Sequence, residues 1–197
     1  MEAPSAARSL TVPLPTELIR RGDRRRVPWK NGAGVTDEIA VDATVAPRWR
    51  VSVADLGDAA TEFSAFEGRS RVFTVIGAYG VTFEWRGGTT AIEPLQPFGF
   101  DGERTPRCIP DGTTSAFNVM VDRRTTTASV SVHDLVDSTV DTDIHAVTVF
   151  YVHSGRVEAG SRSADAGDCI VIRLDSVEIR GTGKVLIAEI RDRPIPG

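Results

Sequence analysis

Period-two alternation of apolar and polar residues runs through this chain from Glu38 onward. It limits the fold more than any other feature, because it is the pattern of strands that bury one face. In the stretch from Tyr79 to Trp85, Tyr79, Val81, Phe83 and Trp85 share one side, and Gly80, Thr82 and Glu84 the other. Trp49, Val51 and Val53 alternate with Arg50, Ser52 and Ala54, and Phe117, Val119 and Val121 alternate with Asn118 and Met120. Shorter runs of the same kind lie at Arg71 to Ile76, Ala128 to Val132, Ala146 to Val152, Cys169 to Leu174, Val177 to Arg180 and Val185 to Arg191. Glycine-rich turn chemistry separates them. Only Thr16 to Arg21 and the acidic segment near Asp55 to Phe66 offer weak helical patterns, and neither holds a 3.6-residue period over three turns. The expectation is an all-β protein whose sheets close into barrels or double into sandwiches, leaving few edges exposed.

A faint internal repeat divides the chain. Val75 to Thr82 resembles Phe150 to Val157 when Gly80 is laid on Gly155, and Val119 to Arg123 resembles Ala188 to Asp192. Two homologous barrels joined by loops of different length would produce this, and so would a shared strand-turn-strand grammar. On the repeat reading residues 1–26 are an N-terminal tail and lead-in, 27–124 a first barrel and 125–197 a second, with the crossover at Arg123 to Thr127.

Several function classes are excluded by composition. A chain of 197 residues with 41% hydrophobic and 25% charged residues has a globular balance and can bury a core. With 27 acidic against 23 basic side chains its net charge is -4, so there is no global positive field to gather nucleic acid. The longest apolar runs, such as Cys169 to Ile172, fall far short of the roughly 20 residues of a membrane helix. Nor does the N-terminal stretch read as a secretory signal, so the cytoplasm is the default compartment and Cys108 and Cys169 are expected as buried, reduced thiols.

The richest chemistry lies between Val27 and Ile39, where Trp29, Lys30, Asn31, Gly32, Gly34, Thr36 and Glu38 crowd ahead of a strand. Taken with Trp49 to Ala54, the Phe63 to Gly68 turn, Arg71, and Phe117 to Met120, this segment resembles the HutD/Ves family. Members of that family read approximately Trp-Lys-Asn-Gly-Gly-Gly-x-Thr-x-Glu-Ile, then Trp-Arg-x-Ser-x-Ala, then Phe-Ser-x-Phe-Pro-Gly-x-Asp-Arg, then Asp-Phe-Asn-x-Met. This chain departs from the pattern at Ala33, Glu67, Ser70 and Ala116. What the resemblance implies is a bicupin, with one pocket in the N-terminal cupin-like barrel. It also implies a link to histidine degradation as a binder of intermediates such as formylglutamate or urocanate.

Residue chemistry is compatible with that implication. Arg50 projects from the face opposite Trp49, Val51 and Val53, where a guanidinium would match a carboxylate with two parallel hydrogen bonds. The alternative is a solvent-facing arginine on a half-buried strand. Asn118 and Met120 share the equivalent parity on another strand and offer an amide and a soft apolar surface. Lys30 and Asn31 precede glycines that permit close backbone approach to a ligand, or that simply make a turn. Glu38 could accept a hydrogen bond from a ligand nitrogen, or could pair with Lys30 or Arg71. The candidate ligand-binding set is therefore Trp29, Lys30, Asn31, Thr36, Glu38, Arg50, Ser52, Arg71, Asn118 and Met120.

No catalytic or metal centre is expected. The three histidines, His133, His145 and His153, include no His-x-His pair, and all lie in the C-terminal half. Ser131, His133 and Asp134 are neighbours on one strand and are not expected to converge as a triad. The cluster Arg20, Arg21, Arg24, Arg25 and Arg26, flanked by Asp23 and Glu17, reads as a solvated ribbon. The residues point to a metal-free, cofactor-free small-molecule binder with neither nucleic acid nor membrane as partner, and the resemblance implies that it holds a carboxylate metabolite and regulates histidine catabolism. A homodimer is left open. The alternative is a cofactor-independent isomerase or hydrolase using Glu38 as base with Lys30 or Arg50 stabilising an anion.

Overall fold

The computed structural model describes residues 16–29 and 34–194. In chain order the strands are β1 (Thr16–Ile19), β2 (Arg25–Pro28), β3 (Val35–Val41), β4 (Trp49–Gly57), β5 (Thr61–Glu62), β6 (Arg69–Val75), β7 (Val81–Trp85) and β8 (Gly88–Ile92). They continue with β9 (Phe98–Asp101), β10 (Arg107–Pro110), β11 (Thr114–Asp122), β12 (Thr126–Asp141), β13 (Val147–Ala159), β14 (Arg162–Asp165), β15 (Cys169–Arg173) and β16 (Glu178–Asp192). Among the described residues the helical content is one 3-10 turn at Arg21–Asp23, and no helix is long and apolar enough to cross a membrane.

Three antiparallel sheets form among the described residues. The middle sheet runs β2-β3-β4-β11-β6-β9, a small cap sheet runs β5-β10-β7-β8, and the C-terminal sheet runs β1-β15-β13-β16-β12 with β14 on β13. Alternation sorts the faces of the middle sheet. Trp49, Val51, Val53, Phe117, Val119 and Val121 pack against Val149, Tyr151, Cys169, Val171, Leu186 and Ala188 of the C-terminal sheet. On the other face Leu56, Phe73, Val75 and Ala116 pack against Phe63, Val81, Phe83, Ile92 and Cys108 in or beside the cap sheet. Each fully buried Val, Leu, Ile or Phe among them contributes about 1.5–3 kcal/mol, so apolar packing covers both faces of the middle sheet.

The faint sequence repeat has a topological counterpart. The neighbours β9-β6-β11-β4 of the middle sheet match β15-β13-β16-β12 of the C-terminal sheet, strand for strand and all antiparallel. The cap strands β5, β10, β7 and β8 correspond to the far parts of β12, β16 and β13 and to β14. In the second half these segments are continuous, so β12, β13 and β16 must bend to enclose Phe150, Val152, Ile170, Ile172, Val185 and Ile187 with Leu135, Val157 and Ile179. Register shifts between Val152 and Ser154 and between Leu135 and Ser138 mark the bends. Gly155 and Gly183 face each other at the crossing with φ of 80° and 128°. A Cβ on either would lie 2.0 Å or 2.1 Å from a facing carbonyl oxygen.

Three local expectations are corrected. Thr16 to Arg21 is strand and 3-10 turn, not helix, because β1 satisfies its backbone by pairing with Cys169 to Ile172 at the edge of the C-terminal sheet. Residues 16–19 of the lead-in are therefore a strand of the C-terminal sheet, while Arg25 and Arg26 belong to β2 of the middle sheet. Asp55 to Phe66 holds the end of β4, the two-residue β5 and loop, with no helix. Tyr79 does not join the buried face of β7; it is exposed in the turn before that strand, against Gly112.

Candidate functional site

A cavity of about 210 Å³ lies between the middle sheet and the cap sheet. Its floor is built in rows across the ladder. Arg50 on β4, Met120 on β11 and Arg71 on β6 are direct cross-strand neighbours, with Phe100 of β9 next to Arg71. The following row is Ser52, Asn118 and Phe73. Register and pleat thus place both guanidiniums on the same face, separated by one methionine. The β2–β3 hairpin supplies another wall through Val27, Pro28, Trp29 and Thr36, while Glu62, Phe63, Ser64 and Phe66 close the far side. The Trp29 indole nitrogen donates to Thr36 Oγ1 at 2.7 Å, and the Trp29 backbone N–H to the Gly34 carbonyl at 2.9 Å. Gly34 is required beneath that ring, since a Cβ there would come within 2.9 Å of Trp29 Cε3.

Arg71 is only 8% exposed. Its Nε and Nη2 donate to Asn118 Oδ1 at 3.3 and 3.1 Å, and its guanidinium carbon stands 4.7 Å from the Phe63 ring centre and 4.9 Å from that of Phe100. Burial, reinforced by the charge of Arg50 and opposed by Cys108, pulls its pKa down to about 10. Arg50 sits 6.0 Å from the Phe66 ring, and its Nε is buried without a hydrogen-bond partner. Burial holds Arg50 below the usual arginine range as well, with Arg69 and Arg25 adding and Glu38 opposing. Among the described residues neither guanidinium is ion-paired to a carboxylate. Such an arrangement can take an oxyanion through two forked donors, with aromatic edges and faces for the rest of the molecule.

Seven of the residues expected from sequence line this cavity: Trp29, Thr36, Arg50, Ser52, Arg71, Asn118 and Met120. Lys30 and Asn31 lie outside the described residues. Glu38 is not part of the lining; its Oε1 takes the Arg25 guanidinium at 2.9 Å across the β2–β3 pair. A base at Glu38 would first have to leave that partner. The aromatic surround of Arg71 lies outside the set expected from sequence. Its trace in the sequence is the Phe63 to Phe66 spacing together with the Phe98-Gly99-Phe100 alternation.

Position bears on other residues singled out in the sequence. Cys108 and Cys169 are free and buried, and burial pushes both thiols up to about 12. Ser131 Oγ and His133 Nε2 do meet, at 2.8 Å on the surface, because residues two apart share a strand face. Asp134 points away and binds Lys184, so no triad forms. Among the described residues no three His, Cys, Asp or Glu side chains gather where they could hold a metal ion. The arginine cluster stays largely exposed, as a solvated ribbon would, with Arg24 half-buried, and it is also tethered. Arg20 pairs with Asp168 at 2.7 Å, Arg24 binds the Gly167 carbonyl, and Arg26 reaches Asp55 at 3.4 Å, because the crossing segment is laced onto the turn before β15.

Comparison with known proteins identifies relatives. The HutD family model matches residues 21–187. An uncharacterized 21.2 kDa protein from the hutC 3' region of Pseudomonas putida is 34% identical over 109 residues, 53% of this chain. That match spans 57% of the relative's length. The structure of HutD from Pseudomonas fluorescens SBW25, determined in a formate condition, has a TM-score of 0.80 at 29% identity over 91% of this chain and 100% of that one. A cupin 2 conserved barrel domain protein from Leptotrichia buccalis, at 8% identity and a TM-score of 0.57 over 85% of this chain and 92% of its own, is alike in fold alone.

Proposed function

The chain belongs to the HutD family, which is linked to the histidine-utilisation locus, and we propose that it is a binding protein for a small carboxylate metabolite held between Arg50 and Arg71. One observation carries the reading: two guanidiniums face a part-apolar cavity with no carboxylate bound to either among the described residues. Burying a cation without a counter-charge is costly, so a fold that retains two invites an anion from outside. Asn118 holds Arg71 in place, and among the described residues no hydrogen bond engages the Arg50 side chain, so one carboxylate bridges the pair or two are taken separately. The aromatic wall accepts the planar or aliphatic remainder of the ligand. Formylglutamate and urocanate are the metabolites to try, and binding would let the protein regulate histidine catabolism in the cytoplasm. On this reading residues 27–124 and 125–197 are two cupin-like barrels, supported by the repeated strand order. The first keeps its interior for a ligand, and the second fills the equivalent space with Phe150, Ile170, Ile172 and Val185.

Thermal unfolding tests the reading. At a hundred times its dissociation constant the ligand stabilises the protein by about 2.7 kcal/mol, which raises the melting point of a chain this size by roughly 5–10 °C. Arg50→Ala should remove that rise and leave the ligand-free melting point nearly unchanged, and Arg50→Lys should restore part of it. A full response in Arg50→Ala sinks the assignment.

A further inference from the structure

A second and larger cavity, of about 630 Å³, lies on the opposite side of the β2–β3 hairpin, between the two halves of the molecule. Among the described residues the two cavities share no lining residue. The register of β2 explains the division. Arg25 and Val27 stand opposite Glu38 and Thr36 on the first cavity's side, while Arg26 stands opposite Asp37, which is opposite Val53 on the other. Arg21, Arg24 and Arg26 therefore turn to the second cavity, joined there by Asp37, Asp55, Ser115, Tyr151 and His153.

The charges do not cancel. Arg26 is the ion-pair partner of both acids, at 3.9 Å from Asp37 and 3.4 Å from Asp55. Arg21 and Arg24 have no carboxylate in ion-pair contact among the described residues, since Asp168 accepts from the Arg20 side chain and from the Arg21 backbone N–H. Arg24 is preorganised. Its Nη2 is fixed by the Gly167 carbonyl and Cys169 Sγ, its guanidinium carbon lies 5.6 Å from the Tyr151 ring centre, and its Nε is buried with no partner. A held cation, a second cation beside it and three neutral hydrogen-bonding groups make a cradle for an oxyanion. We infer that this cleft is a second binding site, for a small multiply charged carboxylate or phosphate, with Arg24 and Arg21 as the anion donors and Tyr151, His153 and Ser115 as the groups that orient it. The inference is independent of what occupies the first cavity.

The test is a titration of the full chain with inorganic phosphate and, separately, with citrate at constant ionic strength, followed by the ring resonances of the three histidines and by melting point. The expected result is a saturable shift confined to His153 with a matching rise in melting point. Arg24→Gln should weaken binding about tenfold or more, and Arg50→Ala should leave it intact. A response to phosphate alone assigns a phosphorylated ligand, and a response to citrate alone assigns a carboxylate. If Arg24→Gln does not fold, His153→Gln replaces it, and loss of the anion-dependent rise in melting point supports the site. Equal shifts at His133, His145 and His153, no saturation with either anion, or loss of binding in Arg50→Ala would overturn it.

Discussion

Replacing Asn118 with leucine isolates what Arg71 costs the empty protein. Burial and Arg50 hold the Arg71 guanidinium at about 10 instead of its ordinary 12.5, a gap worth about 3 kcal/mol against the charged form. For a base whose folded pKa is depressed, that cost is present at every pH below the folded value. It is relieved only as pH rises through 10 toward 12.5, so neutral solutions carry all of it. Offsetting it are the two hydrogen bonds to Asn118 Oδ1 and the rings of Phe63 and Phe100. Asn118→Leu removes the acceptor and keeps the charge, and should destabilise the ligand-free protein by about 1.5–3 kcal/mol. At roughly 2–4 °C per kcal/mol, the melting point falls by about 3–12 °C. The double variant Arg71→Met/Asn118→Leu removes charge and acceptor together. It should return to the wild-type melting point or exceed it, because an apolar pair of similar volume replaces a buried cation that lacks a counter-charge. Calorimetry of the ligand-free proteins gives both numbers, and neither variant should respond to ligand. If Asn118→Leu melts with the wild type, or the double variant melts below Asn118→Leu, Arg71 is not a burden on the empty fold. A ligand is then not needed to supply a missing charge.

Three other outcomes follow from the geometry. Gly183→Ala should cost about 3 kcal/mol or more in chemical denaturation, since φ is 128° and the new Cβ would lie 2.1 Å from the Ser154 carbonyl oxygen; a melting point within error of wild type would contradict the bend. Burial pushes the Asp168 carboxyl up, but hydrogen bonds from the Arg21 and Asp165 backbones and from the Arg20 side chain outweigh it and hold the group below its ordinary 3.8. Its contribution is therefore complete above 3.8 and fades as pH falls through the lower folded value. Acid titrations of wild type and Asp168→Asn should converge in that range, and parallel curves would argue against the clasp. With burial raising both Cys108 and Cys169 to about 12, a thiol reagent should label neither in the native protein and both after denaturation; rapid native labelling would show that a thiol is open to solvent.

The alternation of side chains was enough to divide Arg50 and Ser52 from Trp49 and Val51, and to put Asn118 and Met120 on the arginine's side, because a strand has only two faces and the backbone settles which residues share one. It could not say what each face meets. In a two-layer protein one of those faces would look into water. Here the cap sheet covers the arginine face, and that covering converts Arg50 and Arg71 from surface charges into a pair around a cavity. Glu38 shows the same limit from the other side: its residue type suits a ligand contact, but the register of β2 on β3 places Arg25 opposite, and the carboxylate goes there. Thr16 to Ile19 carries no local sign that it will pair with Cys169 to Ile172, since strand pairing is completed by hydrogen bonds to a partner that the intervening chain must first bring into place. Local periodicity, turn chemistry and the faint repeat are properties of neighbouring residues, and they were legible. The cavity, the second cleft and the clasp at Asp168 are made by residues far apart in the chain, and only the packing of the sheets brings their charges together.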